Sequence, residues 1–186
     1  MTAQKAAPRK DAADSGPLAV TVREMELHDI PPVFDLGERL FRPEEYPNLY
    51  RTWDEYDLIQ YFTSDGDYCL VAETDEGIVG FVIGTVIEKR RSAWRYGYLV
   101  WLGTVPEVEG RGVARRLLAR LTELFIEAGA RIMMVDTEAE NGRALGFFER
   151  QGFGQPVEHI YLAKNLTGLR HYRRHREREA AAEEWE

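Results

Sequence analysis

Cysteine is almost absent: Cys69 is the only one in 186 residues. One thiol forms no internal disulfide, so an apolar core has to hold the fold together. Cys69 sits in the apolar run Tyr68-Cys69-Leu70-Val71-Ala72, which reads as buried and inert rather than reactive. Histidine is scarce too, and no Cys/His group has metal-ligand spacing, so no metal is expected. No apolar run approaches the ~20 residues of a membrane helix, and residues 1–17 lack the apolar centre of a signal peptide. The expected setting is reducing and cytoplasmic, with no membrane partner.

Positive charge is also in deficit. Lys and Arg number 24 against 32 Asp and Glu, a net charge of −8. Residues 1–17 carry +1 and residues 168–186 are neutral, which leaves −9 on the middle of the chain. Phosphate backbones need clustered positive charge, so nucleic acid is not an expected partner. A cationic substrate is mildly favoured.

What remains is ordinary globular composition, 44% hydrophobic and 30% charged, enough for one domain with tails. Residues 1–17 (MTAQKAAPRKDAADSGP) read as a disordered lead-in. A first strand is expected over Leu18–Arg23. A helix follows over Asp29–Leu40, with Pro31 and Pro32 confined to its first turn. After a turn-rich loop, Arg42–Asn48, a second helix spans Tyr50–Phe62, with Thr52 and Glu55 at capping-box spacing. Tyr50, Trp53 and Tyr56 then read as packing residues.

Two β runs, Tyr68–Glu73 and Ile78–Glu88, are joined by a hairpin signal at Thr74-Asp75-Glu76-Gly77. A third runs from Tyr96 to Val105, where period 2 puts Tyr96, Tyr98, Val100, Leu102 and Thr104 on one face. Beyond Pro106, the turn Glu109-Gly110-Arg111-Gly112-Val113-Ala114 opens an amphipathic helix. Its stripe is Val113, Leu117, Leu118, Leu121, Leu124, Phe125 and Ala128. A strand at Arg131–Thr137, a helix at Asn141–Gln151 closed by Gly152, and a last strand at Glu158–Ala163 complete the domain. Residues 167–186 form a charged, helix-prone tail.

The order β-α-α-β-β-β-α-β-α-β is an α/β (α+β) pattern, a mixed, largely antiparallel sheet with helices on both faces. The small-residue turn is its chemical feature. Backbone N–H groups at a helix start, the helix dipole, and Arg111 and Arg115 alongside make an anion site, a phosphate-cradling loop.

The turn is similar to the acyl-CoA signature Gln/Arg-x-x-Gly-x-Gly/Ala of the GCN5-related N-acetyltransferases (GNAT). Glu109 stands first, Gly112 and Ala114 later. The segment Asn141-Gly-Arg-Ala144-Leu-Gly-Phe147-Phe148-Glu149-Arg-Gln-Gly152-Phe153 resembles the same family's Asn-x-x-Ala-x-x-Phe/Leu-Tyr-Glu-x-x-Gly-Phe helix. The resemblance spans residues 18–166, and within the family the pattern lies nearest the ribosomal-protein and peptide N-terminal acetyltransferases. It implies an acetyl-CoA-dependent N-acetyltransferase acting on a primary amine by direct attack, with a protein or peptide N-terminus as acceptor. Two alternatives stay open: a small-molecule amine such as a polyamine, amino acid or antibiotic, or a non-catalytic acyl-CoA-binding module. Monomer and homodimer are both compatible with the sequence.

The resemblance also implies roles. Leu102, Gly103 and Thr104 would pair with the pantetheine arm. Glu109, Gly110, Arg111, Gly112, Val113, Ala114 and Arg115 would form the pyrophosphate turn, and Asn141 and Phe148 would flank the pantetheine. Asp136 takes the place of a catalytic carboxylate, and Tyr98 that of a catalytic tyrosine. Phe41, Glu44 and Tyr46 fall in the loop that grips the acceptor in N-terminal acetyltransferases. Two residues depart from the pattern. Glu109 puts a carboxylate near a pyrophosphate, so its backbone counts more than its side chain. Phe148 replaces the usual acid tyrosine, leaving Tyr161 or a water to stand in.

Overall fold

The computed structural model describes residues 19–42, 52–88, 94–158, 160, 162 and 164–183. The chain falls into two compact units, Met1–Phe153 and Gly154–Glu186. The first holds a five-stranded sheet in sequence order: β1 (Thr21–Glu24), β2 (Cys69–Thr74), β3 (Gly77–Glu88), β4 (Arg95–Thr104) and β5 (Ala130–Val135). The β1–β4 neighbours are antiparallel, and β4 and β5 are parallel. The helices of this unit are α1 (Ile30–Leu40), α2 (Glu55–Asp65), α3 (Val113–Glu127) and α4 (Gly142–Arg150).

Alternation along the strands splits the core into two layers. Cys69, Val71, Phe81 and Ile83 face α1 and α2, packing with Val33, Leu36 and Leu58. Leu70, Ala72, Val82 and Leu99 face α3, meeting Val113, Leu117, Leu118, Leu121 and Phe125. Each fully buried side chain of that size contributes about 1.5–3 kcal/mol. Glycines let α3 approach closely. A Cβ on Gly97 would sit 2.2 Å from the Phe125 ring, and one on Gly84 would sit 2.7 Å from it.

The same device operates inside α1. Gly37 is unfavourable in a helix interior, yet a Cβ there would lie 2.1 Å from the Trp53 indole. Trp53 fills that space and donates its Nε1–H to the Phe34 carbonyl at 3.0 Å. It lies just before α2 rather than within it, because Asp54 is the cap: its Oδ1 accepts from Tyr56 N at 2.7 Å. The expected start at Tyr50 with Thr52 as cap is corrected accordingly. Tyr56 is 80% exposed, contrary to its expected packing role, and Tyr50 lies outside the described residues.

Period 2 fails along β4. The register with β3 shifts between Ile83 and Gly84, so that Trp101 opposes Ile83 while Leu99 opposes Gly84. Val100 is the extra residue of a bulge. Val100 and Trp101 both join the α1/α2 layer, with Tyr98, whereas Leu102 joins the α3 layer. Thr104 also points towards α3, beside Gly80 and Leu117. The single face expected for Tyr98, Leu102 and Thr104 is therefore broken at Val100.

The second unit contains α5 (Arg170–Glu183), laced by Arg176–Glu179 and His175–Glu179 pairs. The strand expected over 158–163 is not formed by its described residues: Glu158, Ile160 and Leu162 belong to no element. Alternating side chains define a face but do not supply the neighbouring strand that a ladder requires.

Arg23 joins the sheet edge to the start of α1. Its guanidinium contacts both Asp29 carboxylate oxygens, at 2.6 and 2.9 Å, and Glu73 at 2.9 Å. Asp29 also accepts from the Glu26 N–H at 2.8 Å and is 2% exposed. Arg23 is the main reason that the Asp29 carboxyl is held below its ordinary range, against the opposing effect of burial. A depressed carboxyl pKa stabilises the fold above the ordinary value of about 3.9, and this contribution is lost as pH falls through the lower folded value. Asp29→Ala should cost about 3 kcal/mol in urea unfolding at pH 7. The variant's stability should also fall less steeply below pH ~4 than that of the parent.

Candidate active site

β4 and β5 run side by side only as far as the Leu99–Val135 pair, although β4 continues to Thr104. β5 ends at that pair, so from Val100 to Thr104 β4 has no strand beside it on that edge, an opening in the sheet. The candidate pantetheine residues fall in this stretch. Leu102, Gly103 and Thr104 are paired with Val82, Phe81 and Gly80 of β3, on the side away from β5. Gly103 serves packing as well. A Cβ there would lie 2.8 Å from Leu40 and 3.3 Å from Phe41, so glycine lets both settle over β4.

The expected anion turn follows. Pro106–Val108 form one turn of 3-10 helix, and Gly110 and Gly112 adopt φ of +75° and +77°. A side chain is strained in that region. A Cβ on either glycine would meet nothing within 4 Å, so backbone strain rather than crowding calls for glycine. Both residues border open space where a ligand can lie against the chain. Gly112 is the N-cap of α3 and offers no capping side chain. The first N–H bonded to a carbonyl at the helix start is that of Arg116, to Gly112 at 3.0 Å. Val113, Ala114 and Arg115 therefore present first-turn donors outward. One member of the expected ring is withdrawn: the Arg111 N–H is committed to the Val108 carbonyl at 3.1 Å. The side chains of Arg111 and Arg115 are exposed beside the turn. These donors fit a pyrophosphate.

The second motif forms α4, which is brought against the turn. Arg143 Nη2 lies 2.7 Å from Glu109 Oε1. Asn141 caps α4, its Oδ1 accepting from Ala144 N at 3.0 Å, and its amide Nδ2 is not needed for that bond. Phe148 packs between Phe147 and Phe153, with ring centroids 5.2 and 5.3 Å away, against the α3 layer.

The opening also holds the expected chemical pair. Tyr98 lies opposite Met134 in the β4–β5 ladder, which puts it on the same face as Asp136, just past the end of β5. The Tyr98 hydroxyl donates to Asp136 Oδ1. Asp136 is exposed and Tyr98 half-buried, so the pair has a solvent-facing side. A phenol hydrogen-bonded to a carboxylate can relay a proton from an incoming group.

The acceptor loop is placed only in part. Phe41 is packed in an aromatic cluster, 4.7 Å from Trp101, 5.6 Å from Trp53 and 6.2 Å from Phe81. Its ring supports the core more than it forms an open wall. Glu44, Tyr46 and Tyr161 lie outside the described residues. Cys69 is fully buried, its thiol pushed up to about 12 by burial, and takes no part in the opening. Among the described residues no group of Cys, His, Asp or Glu can hold a metal, and no helix is long and apolar enough to cross a membrane. The sequence reading missed the Val100 bulge and the Arg143–Glu109 contact. Arg143 lay within a recognised motif, but at one of its variable positions.

The candidate site thus combines a glycine-turned start of α3 with outward first-turn donors and a hydrogen-bonded tyrosine–carboxylate pair on β4 and past β5, an arrangement compatible with an acyl-CoA-dependent transferase. The model of the acetyltransferase (GNAT) family matches residues 35–153, and the chain belongs to that family. It is an N-acetyltransferase with acetyl-CoA as co-substrate. An acetyltransferase of Pectobacterium atrosepticum is 29% identical over 145 residues, covering 72% of this chain and 98% of its own. Among solved structures, the aminoglycoside acetyltransferase AAC(6')-Iy, in complex with the bisubstrate analogue CoA-S-monomethyl-acetylneamine, superposes with a TM-score of 0.63. It is 20% identical and covers 79% of this chain and 99% of its own. Ard1 from Thermoplasma volcanium gives 0.62 at 17% identity, covering 75% and 86%. Likeness at these identities establishes the shared fold.

Gly112→Asp places a carboxylate and a strained residue in the cradle. Acetyl-CoA binding by titration calorimetry should disappear, with about 1 kcal/mol lost from folding stability. Retained affinity would remove the turn from the cofactor site.

Proposed function

We propose that the protein acetylates the α-amino group of a peptide or protein N-terminus, with Asp136 and Tyr98 as the proton-accepting pair. The observation that carries this reading is the Tyr98–Asp136 hydrogen bond on the face beside the β4–β5 opening. Acetyl-CoA supplies an acyl thioester. The amine must be neutral to attack it, and an α-amino group of pKa ~7.7–8 is roughly one-tenth neutral at pH 7. A lysine of pKa ~10.4 asks about 3–4 kcal/mol more for the same deprotonation. A solvent-facing phenol–carboxylate pair suits the lesser demand.

In this reaction Asp136 accepts the amine proton, directly or through the Tyr98 hydroxyl, as the C–N bond forms. A backbone N–H of β4, assigned to Leu102, holds the charge that develops on the thioester oxygen. The C–S bond then breaks and the thiolate leaves. Phe148 cannot protonate it, but a thiol of pKa ~8.5 is a tolerable leaving group near neutral pH. Leu102–Thr104 hold the pantetheine arm, Gly110 and Gly112–Arg115 the pyrophosphate, and Asn141 the arm's far side. Glu44 and Tyr46 belong to the acceptor-gripping loop in this reading.

A second reading, acetylation of a small polyamine-like or aminoglycoside amine, draws support from the likeness to AAC(6')-Iy and from the acidic middle of the chain. Thiol release from acetyl-CoA with peptides, the same peptides blocked at the N-terminus, polyamines and aminoglycosides separates the two. Turnover confined to unblocked peptides is the expected result; turnover confined to small amines would replace the lead reading with the second. Asp136→Asn and Tyr98→Phe should each lower kcat ten-fold or more at pH 7, on the usual scale of general-base catalysis. An unchanged rate in either variant would remove that residue from the mechanism.

A further inference from the structure

The position of the Glu109 carboxylate bears on how the cofactor is held. It stands at the first residue of the phosphate turn, where a negative charge opposes a ligand carrying several of its own. Arg143, the second residue of α4, reaches across to it, Nη2 to Oε1 at 2.7 Å. Both side chains are largely exposed, 75% for Arg143 and 57% for Glu109. Exposed ion pairs add little to folding stability, so stability alone gives small reason for this one. Its location is more telling, because it spans the two segments that the acetyl-CoA reading of the turn requires to act together.

We propose that Arg143 is a positioning residue for the cofactor. It neutralises Glu109 and keeps the carboxylate off the phosphate path. The inference rests on the turn being the pyrophosphate site. A further feature agrees with it. Besides the exposed Arg111 and Arg115 side chains, the donors of the turn are backbone N–H groups, whose weak positive field an uncompensated carboxylate within a Debye length of ~10 Å would offset.

The test is calorimetric titration with two probes, CoA and pantetheine, the second lacking every phosphate. Arg143→Gln should weaken CoA binding about three- to five-fold at low salt, and less at 1 M salt, while pantetheine binding stays as in the parent. Arg143→Lys should keep most of the parent's CoA affinity. Glu109→Gln combined with Arg143→Gln should bring CoA affinity back to within about two-fold of the parent, since the charge needing compensation is gone. An unchanged CoA affinity in Arg143→Gln would overturn the proposal. So would a double variant as weak as Arg143→Gln, which would place the guanidinium on the phosphates themselves. Failure of the underlying reading is separately visible: Gly112→Asp would then leave CoA binding intact.

Discussion

The parting of β4 from β5 is the constraint on which the rest of the site depends. The ladder stops at Leu99 and Val135 because β5 ends there, while β4 runs on to Thr104. One residue later, the Val100 bulge changes which side chains of β4 face α3. A bulge bends and twists its strand, and it commonly lies where a sheet makes room for function. Below Val100 the strand presents Tyr98 to the α1/α2 face. Above it, Leu102 and Thr104 seat the strand on α3, and the edge opposite β3 borders the opening. One irregularity thus separates the candidate catalytic residue Tyr98 from the residues proposed to hold the cofactor arm.

The core supports this arrangement from both sides. α3 has to begin where β4 ends for its first-turn donors to face the opening, and its buried stripe from Val113 to Phe125 fixes it there. Gly84 and Gly97 admit the Phe125 ring at distances no Cβ would tolerate, so the helix lies close on the strands that open. On the other face, Gly103 admits Leu40 and Phe41, and Gly37 admits Trp53. The α1/α2 layer therefore bears directly on the upper part of β4. Arg23 and Asp29 anchor the beginning of α1 to β1, which fixes where this layer meets the sheet edge.

Much of this was legible in the chain itself, for physical reasons. The α3 stripe is a 3.6-residue period, and the turn before it contains glycines at two positions that adopt positive φ. Asn141 caps its helix as its residue type suggests. Tyr98 and Asp136, 38 residues apart, come together because parallel strands align their faces by register. The bulge was not legible. A run such as Tyr-Leu-Val-Trp-Leu is apolar at every position, so nothing marks where alternation slips. The second helix began later than expected because Asp54, with its carboxylate, caps it, although Thr52 and Glu55 have the right spacing. Residues 158–163 show the converse case, alternation without a strand among the described residues. Arg143 is a further instance: an exposed arginine carries no signal until its partner is known.

Phe148 bears on the proton balance of the proposed reaction. With tyrosine at that position, one group would give a proton to sulfur while another takes one from nitrogen, and the two tasks would lie on opposite sides of the opening. Phe148 instead packs edge-on against Phe147 and Phe153. Its ring contributes to the α3 layer and brings no donor. The leaving thiolate must then depart unprotonated or take its proton from solvent, which a thiol of pKa ~8.5 permits near neutral pH. The burden falls on the other half of the reaction. Deprotonating the amine becomes the step that the protein has to assist, and Tyr98 with Asp136 is the described pair beside the opening suited to it. That burden is lightest when the amine is already partly neutral. On the proposed reading, the lack of an acid at 148 and an α-amino acceptor follow from the same proton balance.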